Sequence, residues 1–163
     1  MSSAPDTQLH PVLAAVSAVE GAVAAVADVD PMFMTPTDKG EALLGLSAQI
    51  DRLEELRMRV LVAAGDLAET EGARDAGAWL AHHGRRDRGE CRRRLRLGRA
   101  LADHTATAAA LREGAVNLAQ AEVVTAAVAA LPDRVEPGVR AAAEDRLVAE
   151  AARLGYYTNL LTS

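Results

Sequence analysis

Between residues 37 and 70, side chains recur at alternating spacings of three and four: Leu43, Leu46, Ile50, Leu53, Arg57, Val60, Ala64 and Leu67, with Arg57 the one interruption of an apolar seam. A stripe every 3.5 residues stays on one side of an α-helix. This stretch is therefore expected to form one long helix whose seam packs along another helix, in this chain or in a second copy. Asp51, Glu54, Glu55 and Arg59 fall on its other faces, and Glu55 with Arg59 has the i,i+4 spacing of a favourable ion pair. The remaining composition agrees. Thirty-six alanines against four aromatic residues (Phe33, Trp79, Tyr156, Tyr157) favour helix and argue against a β-sandwich or barrel. At 163 residues the chain has room for one hydrophobic core but not comfortably for two. The expected architecture is all-α: a long helix plus a bundle of short helices.

Punctuation along the chain supplies the boundaries. An Ala/Val-rich helix is expected from Pro11 to about Val29, followed by a linker or turn set by Pro31 and Pro36, so residues 1–36 read as a leading segment and 37–155 as the helical domain. His10 falls in a flexible start. Asp75 can cap a helix carrying Trp79 and Leu80 that Gly84 ends. Asp87 with Glu90 has the capping-box spacing for a helix running to about Asp103, with His104 at the next junction. A short helix follows from Thr105 and stops at Gly114. Asn117 with Gln120 opens another that ends at Leu131-Pro132, and Pro137 begins a final helix through Leu154 that Gly155 closes. Residues 156–163 change composition and read as an atypical tail. Glu20 and Asp28 interrupt the apolar stretch 12–29, which lacks both a basic leader and the roughly 20 apolar residues a span requires, so no membrane helix is expected.

Charge is distributed unevenly. The chain carries −5 overall, but residues 81–99 carry +6 between −8 over 1–80 and −3 over 100–163. This basic island coincides with two helices joined by the short Gly84-Arg85-Arg86 connection, the layout of a helix-turn-helix. On a helical wheel Cys91, Leu95, Leu97, Gly98, Leu101 and Ala102 form the buried face of the second helix, and Arg94 lies within it as a structural ion pair. Arg88, Arg92, Arg96 and Arg99 fall within about 80° of one another on the open side, with Arg93 on the flank. Planar guanidinium forks suit phosphates and guanine edges, and Arg85 and Arg86 add a phosphate clamp at the positive end of the helix. Double-stranded DNA is the expected partner, with strongly salt-sensitive binding, because so few aromatics leave no platform for stacking single-stranded bases. The competing reading is that the arginines pair with acids of the long helix, such as Glu54, Glu55 or Asp66, or with an acidic partner protein. The seam through Leu43, Leu46, Ile50, Leu53, Val60 and Leu67 would then make the chain a homodimerisation module.

No catalytic constellation is visible. The sequence has no Gly-rich phosphate loop between a strand and a helix, no Gly-x-Ser-x-Gly elbow and no carboxylate pair placed for acid-base work. His82 and His83 lack a ligand at i+4 and read as surface residues near a helix end, so neither a metal nor a cofactor is expected, and no small-molecule substrate is identified. Cys91, the single cysteine, reads as a core thiol and points to a reducing, cytoplasmic setting.

Three blocks carry a resemblance: Gly72-Ala73-Arg74-Asp75-Ala76-Gly77-Ala78-Trp79-Leu80-Ala81, then the run from Glu90-Cys91-Arg92 through Gly98-Arg99-Ala100-Leu101, then Ala110-Leu111-Arg112-Glu113-Gly114-Ala115-Val116-Asn117-Leu118-Ala119-Gln120-Ala121. Together they resemble the actinobacterial domain-of-unknown-function family 222 (DUF222), over about residues 53–154. The resemblance implies an N-terminal part of HNH-endonuclease-signature proteins, also called the 13E12 repeat family. It further implies that members continue into a metal-dependent HNH module, and nothing of that kind follows Leu154. A truncated or frame-shifted member is therefore expected, and nuclease activity is not carried over to this chain. The helix pair followed by Leu111-x-x-Gly114-x-x-Asn117 also resembles the helix-turn-helix region of ParB-type partitioning proteins. The function expected is a non-enzymatic DNA-binding or DNA-targeting domain, with contacts from Arg85, Arg86, Arg88, Arg92, Arg96 and Arg99.

Overall fold

Helix caps and stops act largely where their residue types place them. The computed structural model describes residues 9–160 and holds α1 (Pro11–Ala24), a 3-10 turn (Pro31–Phe33), α2 (Pro36–Ala63), α3 (Gly65–Thr70), α4 (Ala76–His83), α5 (Arg88–Asp103), α6 (Thr105–Glu113), α7 (Leu118–Ala129) and α8 (Pro137–Leu160). No strand occurs among the described residues, so the chain is all-α. The asparagine and glutamine at the start of α7 form the complete reciprocal capping box. At α5, Asp87 accepts the Glu90 N–H at 2.7 Å, whereas the Glu90 carboxylate faces Arg57 at 3.9 Å. Gly114 ends α6 with φ +80, the left-handed conformation that only glycine adopts without cost.

The chain divides into two compact units, Met1–Ala42 and Leu43–Ser163, a boundary that falls inside α2 and not at the end of the proline linker. In the first unit α1 buries no side chain. His10 is no part of a loose start: its Nδ1 accepts the Val12 N–H at 3.2 Å and caps the helix. The long helix expected over 37–70 breaks at Ala64, because Gly65 costs about 1 kcal/mol in a helix interior and Asp66 favours a fresh start. Conversely, Gly155 does not close α8, whose backbone stays helical through Leu160. Leu161, Thr162 and Ser163 of the expected tail lie outside the described residues. No helix among the described residues is long and apolar enough to cross a membrane.

The core of the second unit is built from Met58, Leu97, Leu101, Ala110, Leu111, Val116 and Ala121, with Val148, Ala151 and Ala152 of α8 packed against it. A smaller cluster of Leu61, Ala76 and Leu95 joins α2, α4 and α5. Helix α2 therefore turns Glu55, Met58 and Leu61 inward, and the seam points elsewhere: Leu43 is 68%, Leu46 62%, Ile50 59% and Val60 45% exposed. Within this unit the seam packs only toward its end, where Ala64 borders the Leu61 cluster and Leu67 is half-buried; its earlier leucines are not the packing face, because the volume offered by α5 and α6 is filled by the neighbouring stripe. Gly98 makes the approach of α5 to α2 possible. A Cβ there would lie 2.9 Å from Val62 Cγ2 and 3.1 Å from the Met58 carbonyl, so Gly98→Ala is expected to destabilise by about 1–3 kcal/mol in urea unfolding. An undiminished midpoint would mean that the two helices can move apart freely.

Side chains distant in sequence finish the helix ends. Glu144 of α8 is buried, and its Oε1 accepts both the Thr107 N–H and the Thr107 hydroxyl at 2.8 Å, capping α6 where His104 makes no side-chain cap. Arg140 donates to the carbonyl of Val128 in the last turn of α7 and to those of Leu131 and Pro132 beyond it. Such bonds satisfy groups that every helix leaves open.

Candidate nucleic-acid interface

Helix α4 packs on α5, and the four residues 84–87 connect them. The turn is a Schellman motif: the Arg86 N–H bonds the Ala81 carbonyl at 3.0 Å and the Arg85 N–H faces the His82 carbonyl at 3.4 Å. Its left-handed position, where glycine is usual, holds Arg85 at φ +51. A non-glycine residue there carries strain of about 1 kcal/mol. Arg85→Gly is therefore expected to raise stability by about that amount, read as a higher urea midpoint; a lower midpoint would show that the arginine side chain stabilises the turn.

Along α5, Cys91, Leu95, Leu97, Gly98 and Leu101 are buried as the wheel requires. Ala102, expected with them, is exposed, because it borders an open cleft against α6. Arg85, Arg86, Arg88, Arg92, Arg96 and Arg99 are all exposed, as is Arg93. None of the seven forms an ion pair among the described residues. Glu54, Glu55 and Asp66, the acids of the competing reading, are engaged elsewhere. Glu54 holds Arg57 at 2.8 Å and Arg94 at 3.5 Å, and buried Glu55 holds Arg59 at 2.9 Å and Arg112 at 3.1 Å. Asp66 accepts the Leu67 N–H. Arg94 is the structural ion pair expected of its wheel position, and it also reaches Glu122 at 2.6 Å.

Other expected residues fall as follows. His82 and His83 are exposed at the end of α4, where His83 stacks on Trp79 with ring centroids 4.5 Å apart. His104 stands at the α5/α6 junction with Nδ1 3.5 Å from Glu144 Oε2. Among the described residues no group of three or more His, Cys, Asp or Glu side chains is placed to hold a metal ion. One basic residue is absent from the sequence-based set. Arg74, outside the island, joins Arg88 and Arg92 around a cleft of about 250 Å³ at the start of α4. Its position next to the Asp75 cap was the available signal.

The family model described as "Domain of unknown function (DUF222)" matches residues 41–157. The chain belongs to the DUF222 family. The match takes in every helix from α3 to α7 and most of α2 and α8, hence the whole arginine surface and all three sequence blocks that carry the resemblance. No curated protein and no solved structure matches the chain. The DUF222 description assigns no activity, so function rests on the geometry of this surface.

Proposed function

We propose that this chain is a non-catalytic helical domain that places α5 against double-stranded DNA, with Arg85, Arg86, Arg88, Arg92, Arg96 and Arg99 on phosphates and base edges. The observation that carries this reading is a contrast within one helix. Arg94 is four-fifths buried and held by two carboxylates, whereas the arginines on the other side meet solvent with no acidic partner among the described residues. Like charges left together in water repel, and a polyanion relieves that repulsion while releasing its own counterions. The short connection between α4 and α5 supports a helix-turn-helix-like presentation, in which the second helix enters the major groove. The reading agrees with an accessory role beside an HNH module in a reducing, cytoplasmic setting. Fluorescence anisotropy with random-sequence duplex DNA over a salt series tests it. Binding that weakens steeply as salt rises supports the assignment, and no binding at about 50 mM salt sinks it.

A second reading is favoured by the outward seam. From Pro36 through Ile50 no side chain of α2 is buried, yet this stretch contains Gly40 and Gly45, and an isolated helix of that length is marginal in water. The heptad spacing of Leu43, Leu46, Ile50 and Leu53 suits a second copy of the same helix. Sedimentation at micromolar concentration separates the cases: a dimer that Leu46→Glu with Ile50→Glu dissolves supports pairing, and a monomer removes it.

A further inference from the structure

The cleft between the α4 start and the outer face of α5 is lined by Arg74, Asp75, Gly77, Ala78, Arg88 and Arg92. Three arginines share this lining with one carboxylate, and that carboxylate is already engaged: Asp75 Oδ1 accepts the Ala78 N–H at 2.8 Å. Arg74 Nε lies 4.0 Å from the other oxygen with its side chain 82% exposed, too loose a pair to neutralise it. Gly77 is buried against the Cys91 carbonyl and Asp75 Oδ1, so on the α4 side the mouth of the cleft is bordered by exposed Ala78 and no large side chain, and the arginines supply the positive charge. The larger cleft beside Glu55 also has two arginines, Arg59 and Arg112, but both are spent on that buried carboxylate. A volume of about 250 Å³ lies below the range usual for drug-sized ligands and suits one small oxyanion.

We infer that this cleft is a seat for a single phosphoryl group of a DNA backbone, with Arg74 a further contact residue beside Arg88 and Arg92. The inference rests on the DNA reading and extends it from a charged face to a defined register. A backbone phosphate held here fixes where α4 begins on the duplex, and hence which part of α5 faces the groove. Phosphate contacts of this kind position a protein without reading sequence.

The test compares wild type, Arg74→Ala, Ala78→Glu and, as a basic control outside the cleft, Arg134→Ala in the same duplex titration over salt. Ala78 is the third residue of α4, where glutamate is favourable for a helix, so Ala78→Glu blocks the cleft with negative charge without harming the fold. Both cleft variants are expected to lower the salt slope by about 0.9 or more and to weaken binding about 8-fold at 0.1 M salt, with unchanged thermal midpoints and no change for Arg134→Ala. Wild-type slopes in both cleft variants, with DNA still bound, would overturn the seat and leave the DNA reading standing. If wild type binds no DNA, inorganic phosphate titrated against the amide resonances of Gly77 and Ala78 decides between sources. Shifts lost in Ala78→Glu would show a seat for free phosphate and overturn the DNA source, and no shifts would overturn the seat itself.

Discussion

Replacing Arg88, Arg92 and Arg96 together with alanine is expected to weaken duplex binding by about 500-fold at 0.1 M salt and to shrink the salt slope by about 2.7. Counterion release sets the size of this effect. Each cation placed on a B-form phosphate contributes roughly 0.9 to the slope of log K against log salt, so three lost contacts act multiplicatively as salt falls below the 1 M reference. Because all three residues are exposed and without ion-pair partners among the described residues, their removal leaves no buried acid unpaired. The fold is expected to survive. Alanine is also the better helix former, so circular dichroism and the urea midpoint should hold or rise. Unchanged DNA affinity would remove α5 from the interface. A loss of folding would instead mean that these arginines make contacts inside the protein.

Glu144→Ala is expected to lower unfolding stability by about 2–4 kcal/mol, among the largest effects open to a single polar side chain here. Thr107 is fully buried, and both its N–H and its hydroxyl depend on Glu144 Oε1. Truncation strands two polar groups away from water, opens a void and leaves α6 without the cap that its own N-terminal residue fails to provide. Glu144→Gln retains an accepting oxygen of the same reach and is expected to cost much less, about 1 kcal/mol. Urea titration reads both, and the slope should not change if only stability is altered. Equal losses in the two variants would show that volume, not hydrogen bonding, is what Glu144 contributes.

What was legible in the sequence is local. Asp75, Asp87 and Asn117 cap the helices they precede, and Gly114 stops α6, because each acts through hydrogen bonds or backbone angles within three or four residues. The open side of α5 was legible for a related reason: apart from Arg94, its arginines and its large apolar residues fall on different sides of the wheel, so burying one face leaves one orientation. The arginines of α5 could be listed from the sequence, but not the cleft that Arg88 and Arg92 share with Arg74, which exists only because α4 packs on α5.

Helix α2 marks the limit. By itself the sequence determined an all-α chain, the helix type, the approximate element boundaries and a side of α5 rich in arginine, all properties of neighbours within one or two turns. Only the tertiary structure decided that α2 buries Met58 and Glu55 while Leu46 and Ile50 stay outside. It alone buries the Glu55 carboxylate, brings Arg112 to it beside Arg59, and caps α6 with a carboxylate from α8. The physical reason is that a periodic stripe says only that some surface will cover it. Which surface does so is settled by burial and hydrogen bonding summed over every packed helix at once, where an ion-paired glutamate beside a methionine can outcompete a cleaner row of leucines.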